Sequence, residues 1–313
     1  SATTSSQPSI AVLPLDNLSG DASQEYFSDG LTQDITTDLS KFSNLFVVAS
    51  NSAFTFKGKP SKAQDIGDTL GVRYLLEGTV QKTPDRLRVN AQLIDAETGN
   101  HVWAERYDRD LGDVFVVQEE MIQNIVTALA VKVSSAELKR VGRIETRNMD
   151  AYDFYLQAKK VLNDPGKATV EGNDETRRLL EKSIELDADF SKPYGLLSYV
   201  YVREYQNAWS EDRNASLKNA EEYARKELAL ADSFDGHWSL AIVYSNQGDF
   251  EKSLNEYTIA RSLNPNDPDL LAEMGEALIY AGEIETAKAQ IADAIRRNLE
   301  KPWWYYWNYG RAQ

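Results

Sequence analysis

The sequence predicts an α/β domain with a mixed sheet over residues 9–141, followed over residues 150–313 by an all-α array of helix pairs. Three observations predict it. Up to Tyr107, short β-branched runs alternate with stretches of helical period. After Asp150 the strand signals stop. From Trp238 onward, small and large apolar positions recur with a spacing of 34, as from Ala241 to Gly275 and from Tyr244 to Leu278.

The first domain reads in order. Ile10-Ala11-Val12-Leu13-Pro14-Leu15 is a buried strand, and Asn17-Leu18-Ser19-Gly20-Asp21 closes it with turn residues. Tyr26, Phe27, Leu31, Ile35 and Leu39 then mark a helix running to Lys41. Residues 45–49 are a second buried strand, and residues 61–70 a short helix with Ser61 as N-cap and Gly71 as stop. From Val72 the period becomes two. Strands over 74–83 and 86–95 flank a Pro84-Asp85 turn, with Leu87, Val89, Ala91 and Leu93 on a buried face and Arg88, Asn90 and Gln92 opposite. Glu97-Thr98-Gly99-Asn100 turns into a third strand over 101–107. A long helix over 114–136 follows, with Val117, Met121, Ile125, Leu129 and Val133 as its stripe.

In the second half the clearest pair runs from Trp238 through Ala241, Tyr244, Gly248, Ser253, Tyr257 and Ala260 to Pro265. The next places Gly275, Leu278, Gly282, Ala287, Ile291 and Ala294 in the same pattern. Small residues let two helices approach closely while large ones fill the space between pairs. Two earlier pairs are less regular, with insertions around residues 163–175 and 206–217. Tyr194, Leu197, Ser198 and Tyr201 open one; Phe154, Ala158 and Val161 open the other. The segment 302–310, with Trp303, Trp304, Tyr305, Tyr306, Trp307 and Tyr309, reads as the opening helix of a fifth pair whose rings cap the core. If those rings are exposed instead, they suit an oligosaccharide.

Composition narrows the function. At 313 residues with 42% hydrophobic and 27% charged side chains, the chain is globular and too long for one ordinary core. Acidic residues number 49 against 34 basic ones, for a net charge of −15. That balance disfavours nucleic acid and anionic membrane surfaces, and favours basic or amphipathic peptides. There is no cysteine, which removes disulfides and thiolate chemistry. The polar start, SATTSSQPS, is neither a signal peptide nor a span; residues 1–8 read as a linker, and the chain as a piece of a longer protein.

The chain carries no recognisable catalytic constellation. The two histidines, His101 and His237, fall in different domains. No GxSxG, HExxH, GxxxxGK[ST] or GxGxxG string occurs. Phe56-Lys57-Gly58-Lys59-Pro60-Ser61-Lys62 reads as a solvated basic turn, and pairs such as Asp16/Asp21, Asp29/Asp34 and Glu119/Glu120 carry no signal alone. No catalytic residue, metal ligand or cofactor is assigned. Asn17, Asp21, Asp29 and Gly30 lie where an α/β sheet gathers ligands, beyond a strand's carboxyl end. As structure, Asp29-Gly30 would set the entry of the first helix.

The strings IAVLPLDNLSGD, EYFSDGLTQDI, LLEGTVQK and AQLIDAETGNHVWAERYDRDLGDVF resemble the TolB-like amino-terminal domain. The helix pairs resemble tetratricopeptide repeats, about four and a terminal helix, and depart from that consensus at Ala188 and Asp232, where a terminal proline is usual. This second resemblance implies a superhelix whose concave groove, lined by the first helix of each pair, holds a protein or peptide partner. By position the groove would show Tyr155, Lys159, Tyr199, Arg203, Trp238, Ile242, Asn246 and Glu276. Together the resemblances imply a non-catalytic sensory and protein-interaction region, as follows the catalytic domain of bacterial class III adenylyl cyclases. Such a region would lie in the periplasm as part of an inner-membrane protein, or else in the cytoplasm. It would bind a partner or small ligand and dimerise through the full-length protein. Alternatives are the sensor of a CadC-type winged-helix regulator, a free-standing periplasmic scaffold, and a hydrolase or transferase with unrecognised carboxylates.

Overall fold

A computed structural model describes residues 7–141, 145–300 and 302–313. The chain divides into two compact units. One comprises residues up to 144 together with 264–268 and 292–307; the other comprises 145–263, 269–291 and 308–313.

The first unit is built on a mixed sheet. Its strands are β1 (Ser9–Val12), β2 (Asp16–Asn17), β3 (Phe46–Val47), β4 (Tyr74–Lys82), β5 (Arg86–Asp95) and β6 (Asn100–Asp110), in the order β3-β1-β4-β5-β6 with β2 beside β4. The pairs of β1 with β3 and of β1 and β2 with β4 are parallel, whereas β4–β5 and β5–β6 are antiparallel. The expected alternation on β5 is present: Leu87, Val89, Ala91 and Leu93 are buried. Helix α1 (Glu25–Ser40) buries Phe27, Leu31, Ile35 and Leu39, and the Thr32 hydroxyl accepts the Leu15 amide at 3.0 Å where the chain leaves β1. A short α2 (Ser50–Phe54), absent from the sequence reading, and α3 (Ala63–Leu70) follow β3. Gly71, at φ +68, ends α3 in the left-handed region that costs glycine little.

Several boundaries differ from those the sequence suggested. The second strand shrinks from 45–49 to Phe46–Val47. Ser61 does not cap α3; the cap position falls to Lys62 and no side chain bonds there. The expected helix over 114–136 is two, α4 (Val114–Ala128) and α5 (Ser135–Val141). It breaks because Ala130 turns left-handed at φ +49 and because Ser134 and Glu137 form a capping box. The Ser134 amide donates to Glu137 Oε2 at 2.7 Å and the Glu137 amide to Ser134 Oγ at 3.2 Å. Residues 1–6 of the expected linker lie outside the described residues. Its end is already part of the fold, since the Pro8 carbonyl accepts the Phe46 amide at 2.8 Å and the Gln7 amide group donates to the Ser43 carbonyl.

Segments distant in sequence complete this unit. The Asn266 side-chain amide donates to the Ser40 and Phe42 carbonyls at 2.9 and 2.8 Å, closing the end of α1. Arg297 donates to Asn266 Oδ1 and lies 4.7 Å above the Phe46 ring. The Ala49 amide donates to the Arg297 carbonyl, the Leu299 amide donates to Ser52 Oγ, and Leu299 packs on the apolar cluster of Ala11, Val48 and Leu75.

The second unit contains helix pairs: α6 (Met149–Asn163) with α7 (Val170–Leu186), α8 (Lys192–Gln206) with α9 (Arg213–Leu230), and α10 (Phe234–Gln247) with α11 (Phe250–Leu263). Most of α12 (Pro268–Tyr280), the first part of α13 (Ile284–Arg297) and the end of α14 (Trp303–Arg311) also belong to it. The two expected insertions are shorter than read, because α7 already begins at Val170 and α9 at Arg213. Each pair closes through a small residue. Ser183 Oγ donates to the Ala151 carbonyl, Ser198 Oγ to that of Ala220 and Ser253 Oγ to that of Ala241, at 2.7, 2.7 and 2.8 Å. In the last pair Gly275 does the same service without a hydroxyl: a Cβ there would stand 2.4 Å from Ile291 Cγ1.

Replacing Gly275 by valine is therefore expected to destabilise the fold by about 1–3 kcal/mol in chemical denaturation. The double change with Ile291→Ala should recover part of that loss. Additive losses in the double variant would show that the two side chains do not meet.

Candidate functional site

The first helices α8, α10 and α12 bring together most of the side chains that can meet a partner. Tyr199 on α8 is 38% exposed. Trp238 on α10 is partly exposed, stacks on Phe234 at 6.1 Å, and donates its indole N–H to Glu273 Oε2 on α12 at 2.7 Å. The Tyr257 hydroxyl of α11 reaches the same oxygen at 3.3 Å. Loss of solvent, reinforced by the Asp269 and Glu276 charges, pushes the Glu273 carboxyl up to about 8 against the two donated hydrogen bonds. Desolvation, then the Glu273 and Asp269 charges, also raise the Tyr199 hydroxyl, while Arg203 pulls it the other way. These residues thus form one electrostatic neighbourhood.

The expected groove residues separate into three sets. Tyr199, Arg203, Trp238 and Glu276 keep accessible surface. Arg203 lies 5.4 Å above the Trp209 ring, and Glu276 accepts from Arg311 at 2.7 Å. Tyr155 and Ile242 are buried, so neither offers a side chain to a partner. Tyr155 shares its helix face with Ala151, Tyr152 and Ala158, and its ring meets Phe190 edge-on at 5.3 Å. Lys159 lies over the Tyr155 ring, and Asn246 turns its side-chain amide back to the Ile242 carbonyl. Glu273 was overlooked in the sequence. The signal was present, since Asp269, Glu273 and Glu276 follow at helical spacing and make an acidic stripe longer than Glu276 alone.

In the first unit the residues of the expected ligand rim make local structural contacts. Asn17 accepts the Ser19 amide and donates to the Asp21 carbonyl. Asp21 caps the turn before α1 through the Ser23 amide, and the Ser23 hydroxyl together with that amide holds its carboxyl below the ordinary range. Asp29 lies a full turn inside α1 rather than at its entry, and pairs with Lys57 at 2.5 Å. Gly30 is buried in the same helix. Lys57 also meets Glu25 at 2.8 Å, so the charge of this one lysine of the basic turn is met from α1.

Two other places hold polar chemistry. A cavity of about 180 Å³ is lined by Asn173, Asp174, Arg177, Glu204, Trp209 and Ser210, and Arg177 there bridges Asp174 and Glu204 at 2.5 and 2.9 Å. His237 sits between Glu256 at 2.6 Å and Asp232 at 3.1 Å. Of the aromatic segment near the C-terminus, Tyr305 is fully buried while Trp303 and Trp307 are 75% and 63% exposed. Capping and exposure therefore divide the cluster between its helix faces. Among the described residues no group of three or more His, Asp or Glu side chains is placed to hold a metal, and no helix is long and apolar enough to cross a membrane.

No family model matches the chain. It is 41% identical over 240 residues to "Putative adenylate cyclase 3" of Rhizobium meliloti (strain 1021), an alignment covering 76% of this chain and 40% of that protein. The chain thus spans about two-fifths of this relative's length. It is also 34% identical over 84 residues to the photosystem I assembly protein Ycf3 of Synechococcus sp. (strain CC9605), covering 26% of this chain and 47% of that one. A tetratricopeptide repeat protein of Thermus thermophilus aligns with 63% of this chain and 94% of its own at a TM-score of 0.43 and 19% identity. TolB from Acinetobacter baumannii aligns with 40% of this chain and 29% of its own at a TM-score of 0.30 and 21% identity.

The raised Glu273 pKa makes stability depend on pH with a definite sign. The folded chain holds a proton on Glu273 that the unfolded chain releases near pH 4.5, so the contribution of this group to stability is full below that value and is lost as pH rises through 8. Denaturation midpoints measured from pH 5 to 8.5 should fall for the wild type. For Glu273→Gln they should fall less, by roughly 2–4 kcal/mol over the range. Parallel slopes for the two proteins would count against a buried proton at Glu273.

Proposed function

We propose that this chain is the non-catalytic sensory and protein-interaction region of a bacterial signalling protein of the adenylate cyclase kind. Its partner is an extended peptide or a protein segment held across α8, α10 and α12. The observation that carries this reading is the surface shared by Tyr199, Arg203 and Trp238, beside the half-buried Glu273. Aromatic and arginine side chains contribute most per residue when a partner desolvates them. The likeness to the Rhizobium meliloti protein over most of this chain supports the link to a cyclase. The repeat fold supports the binding role, and one solved structure aligned with this chain, YrrB, is described as a tetratricopeptide protein with an unusual peptide-binding site.

In this reading the chemistry belongs to the rest of the protein. The repeats bias it by preferring one arrangement of the cyclase domains when a partner is bound, and the differential affinity sets how far the equilibrium moves. We place the region in the periplasm, as the part of an inner-membrane protein that meets envelope partners.

A random peptide library displayed against the chain tests the reading. Selected peptides should bind with micromolar affinity and lose at least tenfold on Tyr199→Ala, with the melting temperature little changed, and on Trp238→Ala, which also removes the Phe234 stack and the Glu273 bond and so lowers the melting temperature. In the full-length protein the same substitutions should alter the response of cyclic-nucleotide synthesis to a selected peptide and leave basal synthesis intact. A library in which no peptide depends on these side chains would sink the proposal.

A further inference from the structure

Glu273 stands at the centre of the candidate face with half its hydrogen-bonding capacity uncommitted. Oε2 accepts from the Trp238 indole and the Tyr257 hydroxyl, while Oε1 accepts no hydrogen bond among the described residues. The side chain is partly exposed, as is Trp238, and Tyr199 presents 38% of its surface nearby. A carboxylate with one oxygen held by an indole N–H and the other free is the arrangement that attracts an organic cation, through charge and directed hydrogen bonds.

The surrounding charges agree. On α12 itself, Asp269 and Glu276 bracket Glu273, and Glu276 is already paired with Arg311 of α14. On α10 the neighbouring His237 is held between Asp232 and Glu256. On α8 Lys192 is paired with Glu145 at 3.9 Å, and Arg203 lies against the Trp209 ring. Desolvation, then the Glu273 charge, raise both the Tyr257 hydroxyl bonded to Glu273 and the Tyr199 hydroxyl above their ordinary range, so both stay neutral. Among the described residues no basic side chain forms an ion pair with Glu273.

Resting on the reading of this face as a peptide site, we propose that it recognises a basic side chain of its partner, seated on Glu273 Oε1 between Tyr199 and Trp238. The ligand is thus an extended peptide with a lysine or arginine at the position that crosses α10. Because Glu273 is held protonated near neutrality, seating the cation expels one proton to solvent. Affinity for the cation then rises with pH up to about 8 and levels above it.

N-acetyl-arginine amide and its neutral isostere N-acetyl-citrulline amide are the probes, followed through the Trp238 indole N–H resonance of the whole chain. The arginine compound should bind in the millimolar range at pH 8.5, at least tenfold better than the citrulline one. Its affinity should fall about 20-fold by pH 6.5, following the ionised fraction of a group with a pKa of about 8. Glu273→Gln, shown folded by its melting curve, should bind it weakly and without pH dependence. Equal binding of the two probes by the wild type, or arginine binding that ignores pH, overturns the proposal whatever the variant does. Library peptides that depend on Tyr199 yet lack any basic residue would overturn it while the peptide site stands. A library with no such peptides would remove both.

Discussion

The second unit depends on how closely two helix backbones can approach. Where α6 meets α7, α8 meets α9 and α10 meets α11, a serine hydroxyl bonds straight to a carbonyl of the facing helix, and between α12 and α13 a glycine leaves the gap. Such contacts fix where the helices cross. Crossing position in turn decides which side chains are enclosed between pairs and which remain on the outer edge of the first helices. Tyr199, Trp238 and Glu273 come within reach of one another because Ser198, Ala241 and Gly275 hold their helices close to the second helix of each pair.

That geometry also explains why a carboxyl group is tolerated where water is scarce. The Trp238 indole and the Tyr257 hydroxyl satisfy one oxygen of Glu273, which lowers the cost of burying it without supplying a counter-charge. Arg177 in the polar cavity is treated in the opposite manner, its charge met by the two carboxylates of Asp174 and Glu204. Glu273 is thus an acidic group without a counter-charge and Arg177 a basic group with two, and of these the first is the one open to a cation.

Much of this was legible in the sequence, where physical periodicity is strong. The alternation on β5 and the 34-residue recurrence each bury one face, so the pattern of residues reports the pattern of contacts. What the sequence concealed has identifiable causes. The end of α4 uses alanine in the left-handed region, where glycine is the usual signal, although the Ser134 and Glu137 capping box that follows was there to be read. Period alone marked Tyr155 and Tyr199 as equivalent positions. Which of them a neighbour covers was decided by Phe190, a residue outside the helix itself. Asp29 looked like a helix entry, but Asp21 and the turn after it had already started the chain coiling.

The carbonyls of Ser40 and Phe42 find their donor in Asn266, more than two hundred residues downstream. A compact body whose backbone is closed by so remote an amide cannot be released by a single cut. Any excision that stops near residue 141 would leave the buried Ser40 carbonyl without its Asn266 donor and the Phe42 carbonyl with the Leu45 amide alone, and would strip Leu299 from its apolar bed. The α/β body takes its closing groups from the far end of the chain, so the two stretches have to be produced together to fold.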